Sequence, residues 1–217
     1  MHKIKSQFII TLALLGFIFS SSSMIIPITG NSAANTVYAP LNVSLNDFTK
    51  NISNGVTKQL VGVYANNLFA LPVLQQPLAN FAFVSSDQEE ATQFALATQY
   101  GSIGLVAHNT LAGEHFFDLA EGDQITLIYG DGHLVTYLIT QIFQFQALSP
   151  ASPYSNYSDL KNPASIMSAK SVFDFIYKAK DRLVLQTCIA KGNIDSWGRL
   201  FVVAEPVSTL ALSNNLN

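Results

Sequence analysis

The sequence of 217 residues predicts a mainly β domain carrying a few short helices. Leu60–Tyr64 and Leu68–Val73 are short apolar runs bounded by Asn, Pro and Gln, a pattern that suits strands or turns better than helices. Gly130-Asp131-Gly132 stands between two such runs and reads as a tight hairpin turn, making Gln124–Tyr129 and Leu134–Phe145 an antiparallel pair. Two Leu- and Val-rich runs near the C-terminus, Leu183–Ile189 and Trp197–Val203, flank a polar loop holding Lys191, Gly192, Asn193, Asp195 and Ser196, and read as neighbouring strands.

Composition narrows the function classes. Apolar residues make up 49% and charged residues 12%, so the chain can bury a core and is not disordered. Eleven Lys and Arg face fourteen Asp and Glu, a net charge of −3. With no basic stripe available for a phosphate backbone, nucleic acid is excluded as a partner.

The N-terminus has the layout of an export signal. Lys3 and Lys5 precede the uncharged run Phe8–Phe19, then Ser20–Ser23, and small residues continue to Ala33 and Ala34. Residues 1–34 are therefore expected to be a cleaved signal peptide, or else an N-terminal anchor that tethers the chain to a membrane. Both place the domain outside the cytoplasm. Residues 35–59 read as a linker or short helix, 60–207 as one domain, and 208–217 as a tail.

Within the domain, Leu60–Tyr64, Leu68–Val73 and Phe81–Val84 are strand candidates. Ser86-Asp87-Gln88-Glu89 has the form of a capping box and predicts a helix reaching about Gln99 and stopping at Gly101. Ile103–Asn109 is an apolar strand ending on a histidine. Gly113–Asp123 reads as a short helix and turn, 147–162 as a long surface loop, and 163–180 as one or two short helices.

Cys188 is the only cysteine, so it can form no internal disulfide, and it sits at the end of an apolar run. Such a residue is either an inert core thiol or a nucleophile, and a nucleophile must ionise. Arg199 opens the neighbouring strand, where a fixed positive charge favours thiolate and a planar fork of donors can hold an oxyanion.

These residues together carry a family resemblance, over roughly residues 60–207. Ala107-His108-Asn109 resembles the Gly-His-Asn that ends a strand in the sortases, the bacterial cysteine transpeptidases. Leu185-Gln186-Thr187-Cys188 resembles their T-L-x-T-C, and Arg199 opens the last strand as their arginine does. Phe117-Asp118-Leu119 followed by Glu121-Gly122-Asp123-Gln124-Ile125 is similar to their F-x-x-L and G-D-x-I stretch. Val184 replaces the first threonine and Ala107 the glycine, and neither change touches a reacting atom.

The resemblance implies a closed, mostly antiparallel β-barrel of about eight strands with short helices. It implies that Cys188 attacks a sorting-signal peptide bond of the L-P-x-T-G type to give a thioacyl enzyme, and that His108 serves as general acid and base. Arg199 would hold the oxyanion or position the substrate. Thr187, Ala107, Asn109 and Tyr177 are the expected substrate contacts. The implied partners are surface proteins bearing a C-terminal sorting signal and an amine acceptor, a cell-wall peptide or pilin lysine, at the outer face of a bacterial cell. No cofactor or metal is called for. Glu114, Asp118, Glu121 and Asp123 cluster without the regular spacing of a cation loop and read as a solvated face. The alternatives are a binding-only protein of the same fold and an L,D-transpeptidase-like enzyme. The Ser-His-Gly-Cys signature of the latter is absent.

Overall fold

The computed structural model describes residues 43–77, 80–152 and 154–207. The expected leader and the C-terminal tail lie outside the described residues. Helix α1 (Leu45–Ile52) starts on Ser44, whose side chain accepts the Asp47 amide, and is followed by β1 (Leu60–Ala65) and β2 (Phe69–Gln75). Then come β3 (Ala91–Phe94), a single helical turn α2 (Ala95–Thr98), β4 (Ile103–Val106) and a 3-10 helix (Ala112–Asp118). The chain continues through β5 (Gln124–Tyr129), β6 (Leu134–Ala147), β7 (Asn156–Asp159) and β8 (Ile166–Ser168). It ends with α3 (Ala169–Tyr177), β9 (Leu183–Lys191) and β10 (Ile194–Pro206). Among the described residues, no helix is long and apolar enough to cross a membrane.

Eight strands close a ring in the order β10-β9-β4-β3-β2-β1-β5-β6, with β6 pairing back to β10. Phe145 of β6 faces Arg199 on one edge and Asp159 on the other, so the β7–β8 hairpin extends the sheet from the far end of β6. The ring is the expected closed, mainly β barrel. Its pairings are antiparallel except β2–β3 and β4–β9, which run parallel.

Side chains alternate between two apolar layers. Val63, Leu71, Leu105, Leu127, Leu185 and Val202 fill the barrel. Val106, Phe145, Val184, Phe201 and Val203 point outward and pack under Val172, Phe173, Ile176 and Tyr177 of α3. β9 and β10 are covered on both faces, which is why their sequences read as continuous apolar runs. Phe48 of α1 makes a smaller outer cluster with Val61 and Ile128, and Gly62 admits that helix because a Cβ there would overlap Ile52 Cδ1.

Three local expectations are corrected. Residues 86–90 form no helix: Ala91–Phe94 is claimed as a strand between β2 and β4, and the Ser85 amide bonds the Thr92 hydroxyl. Pairing on both edges outweighs the local capping signal. Phe81–Val84 is not a strand, although Phe81 and Val84 pack on the outer cluster. The 147–162 connection is not wholly a surface loop, because β7 buries Tyr157 to 2% exposure.

Candidate active site

Cys188 and Arg199 are direct partners across the β9–β10 ladder, so their side chains leave the sheet on the same face. That face is the outer one, since Val184 and Val203 on the same alternation belong to the layer under α3. The β4–β9 ladder supplies the third group. Val106 pairs with Gln186, and the Ala107 amide donates to the Gln186 carbonyl at 3.2 Å. The ladder ends there, and His108 and Cys188 each lie two residues further along their segments.

The segment after His108 is wound around its carbonyl, which accepts the amides of Leu111 at 3.0 Å and Gly113 at 2.9 Å. Thr187 Oγ1 donates to the Ala107 carbonyl at 2.9 Å. Gly113 leaves room for this arrangement, because a Cβ there would overlap Thr187 Oγ1 and sit 2.7 Å from the His108 carbonyl oxygen and 2.8 Å from that of Ala107. One Arg199 Nη1 donates to the carbonyls of Ser196 at 3.0 Å and Gly198 at 2.8 Å. The guanidinium is thereby held along its own strand, beside the thiol.

The site is dry. Cys188 is 2% and Arg199 3% exposed, while His108 is half-buried. Burial pushes the Cys188 thiol up; Arg199 pulls it back down, and Asp195 pushes it up again. Burial also holds the His108 imidazole below its ordinary value. Both effects favour the uncharged thiol and the uncharged imidazole at rest.

The expected substrate contacts separate. Asn109 is half-buried, and its Nδ2 donates to the Asp195 carbonyl at 3.2 Å, linking the loop after His108 to the β9–β10 hairpin. Ala107 and Thr187 are buried at 1% and 0%, Thr187 bonding the Ala107 carbonyl and the Ala107 amide the Gln186 carbonyl. Tyr177 is a correction: its side chain lies wholly in the outer core, stacked near Phe173, and its hydroxyl donates to Gln186 Oε1 at 2.6 Å. A ring with no exposed surface offers nothing to a peptide. The apolar run that pointed to a strand end at Cys188 also continues, as β9 extends to Lys191.

Tyr157, which the sequence suggests only as one aromatic of a surface loop, is buried in β7. It shares its sheet face with Ala147, Phe145, Arg199 and Cys188 through successive ladder partners. Burial raises its phenol, Arg199 lowers it and Cys188 raises it, so it stands within the field of both. Nothing in Asn156-Tyr157-Ser158-Asp159 announces this, since one aromatic among polar residues carries no strand period.

No family model and no curated protein matches the chain. Solved structures similar to it include sortase A from Corynebacterium diphtheriae, 14% identical with a TM-score of 0.47, covering 69% of this chain and 60% of that one. Sortase C-1 from Actinomyces oris is 13% identical with a TM-score of 0.47, covering 79% and 84% of the two chains. Sortase A of Listeria monocytogenes is 17% identical with a TM-score of 0.41, covering 69% and 88%. The chain thus spans 60% of the length of the first. The family that the sequence resembles, the sortases, is also the family of these three solved structures.

Proposed function

We propose that the chain is a sortase-like cysteine transpeptidase acting at the outer surface of a bacterial cell. The reading is supported by one observation: strand register sets Cys188 opposite Arg199, and the β4–β9 ladder ends two residues before both His108 and Cys188. Cys188 passes its proton to His108 and attacks the carbonyl of a sorting-signal peptide of the L-P-x-T-G type. The imidazolium then protonates the departing amine as the C–N bond breaks, leaving a thioester on Cys188. Arg199 stabilises the oxyanion with its guanidinium donors. In the second half, an amine displaces the sulfur, and His108 accepts a proton from it. The N-terminal segment delivers or tethers the domain outside the membrane, where the sorting-signal proteins and the acceptor are found.

The test incubates the chain with a sorting-motif peptide and glycine and follows products by mass spectrometry. A thioacyl adduct on Cys188 and an exchanged peptide are expected, both lost in Cys188→Ala. In His108→Ala exchange is expected to vanish while the fold persists. The second reading, a binding-only protein of this fold, is favoured by the 2% exposure of Cys188. Peptide binding without any adduct would support it.

A further inference from the structure

The β9–β10 hairpin is irregular just before Arg199. Lys191 pairs with Ile194 and Ile189 with Gly198, so β10 uses four steps where β9 uses two. Asp195, Ser196 and Trp197 form the resulting bulge, a device that re-aims side chains and occurs often beside active sites. The bulge is fastened at three points. The Asp195 carbonyl accepts from Asn109, the neighbour of His108; the Ser196 carbonyl accepts from Arg199; and Ser196 Oγ donates to the Pro150 carbonyl at 3.4 Å.

Asp195 is thus an exposed carboxylate whose main chain is tied to the His108 segment. Among the described residues it makes no ion pair, and the nearby cation on the hairpin, Lys191, lies 4.5 Å from the centroid of the Trp197 ring. A negative charge here opposes thiolate formation at Cys188 and so works against the first half-reaction. It favours any cation approaching the hairpin. The acceptor of the second half-reaction is such a cation, because an alkyl amine is mostly ammonium near neutral pH.

We propose that Asp195, presented by the bulge that Asn109 ties down, docks the ammonium of the incoming acceptor and so selects a cationic amine over water and neutral nucleophiles. The inference rests on the transpeptidase reading. The docked ammonium gives one proton to His108, and the freed amine attacks the thioester carbonyl. The new C–N bond forms, the C–S bond breaks with its electron pair going to sulfur, and His108 returns a proton to Cys188. The second proton from nitrogen leaves to solvent, so one ammonium and one thioester yield an amide, a thiol and a proton.

The test separates the two proposals by loading Cys188 of the full chain chemically, with an acetyl group from an aryl thioester. Discharge is then followed by mass spectrometry with glycinamide, a cation, or hydroxylamine, which is neutral near pH 7. In Asp195→Asn the half-saturating glycinamide concentration is expected to rise about two- to five-fold at low salt, the range for an exposed charge pair. The difference should shrink at high salt, with hydroxylamine and water unaffected and Asp195→Glu retaining most of the preference. Equal discharge in both proteins, or an equal loss with glycinamide and hydroxylamine, overturns the docking role alone. Failure of any acyl donor to load Cys188 overturns the transpeptidase reading and this inference together.

Discussion

Thr187 Oγ1 donates a 2.9 Å hydrogen bond to the carbonyl of Ala107, 80 residues away in sequence, fastening the residue before the thiol to the residue before the imidazole. The two strands run parallel here, a pairing whose bonds slant and hold slightly less well per residue. A buried side-chain bond at the end of the ladder therefore has an outsized part in holding the segment that carries His108 against β9.

Thr187→Val keeps the shape of the side chain and removes the donor. Denaturant unfolding is expected to show a loss of about 1–3 kcal/mol, because the Ala107 carbonyl loses a buried partner. Acyl transfer should fall further than that loss explains, since His108 is freed to drift. A variant with lowered stability and unchanged turnover would show that the bond serves the fold only.

Gly113→Ala tests the same joint from the other side. The added Cβ meets Thr187 Oγ1 and the carbonyl oxygens of His108 and Ala107, and two of these three are backbone atoms that cannot swing away. Overpacking of this kind typically costs about 1–3 kcal/mol. Because the clash lies under His108, the His108 ring resonances in an NMR spectrum should shift along with the lowered unfolding midpoint.

How much of this was legible beforehand depends on range. The strands around Gly130-Asp131-Gly132 and the two C-terminal runs follow from local period and turn chemistry, and they appear where expected. The ordered set His108, Cys188 and Arg199 stands out through its resemblance to the sortase motifs rather than through any local period. The capping signal at Ser86 misled because a strand pairing on two edges outweighed it. Tyr157, the bulge at Asp195 and the core role of Tyr177 depend on partners far away in sequence, Arg199, Asn109 and Gln186, and no local pattern encodes them.

Tyr177→Phe removes the hydroxyl that bonds Gln186, two residues before Cys188 on the same sheet face. Both groups are buried, so the Gln186 oxygen would be left without this donor. A loss of about 1–3 kcal/mol is expected in thermal or denaturant unfolding. Since α3 is otherwise held by apolar packing of Val172, Phe173 and Ile176, the fold should survive, and the pairing Tyr177→Phe with Gln186→Met should recover part of the loss.

The pH dependence follows from which charged forms the site excludes. Burial raises the Cys188 thiol, so alkylation by iodoacetamide in the native chain should climb through a midpoint above that of the denatured chain. Arg199→Gln should move that midpoint higher still, and Asp195→Asn lower, because the first removes a charge that favours thiolate and the second one that opposes it. His108 is held low by burial, so below about 6.5 the unfolded chain takes up a proton that the native chain refuses, and stability falls as pH drops through that window. The alkaline side has the opposite sign. Tyr137 is pushed up to about 12, chiefly by burial, so its contribution is complete below the ordinary phenol value and is lost as pH rises through its own. Denaturant unfolding across pH should therefore show a plateau flanked by two declines, with the acid decline shallower in His108→Gln and the alkaline one shallower in Tyr137→Phe. An unchanged acid limb in His108→Gln would mean that the imidazole is not desolvated in the native state, and the expected direction of its titration would be wrong.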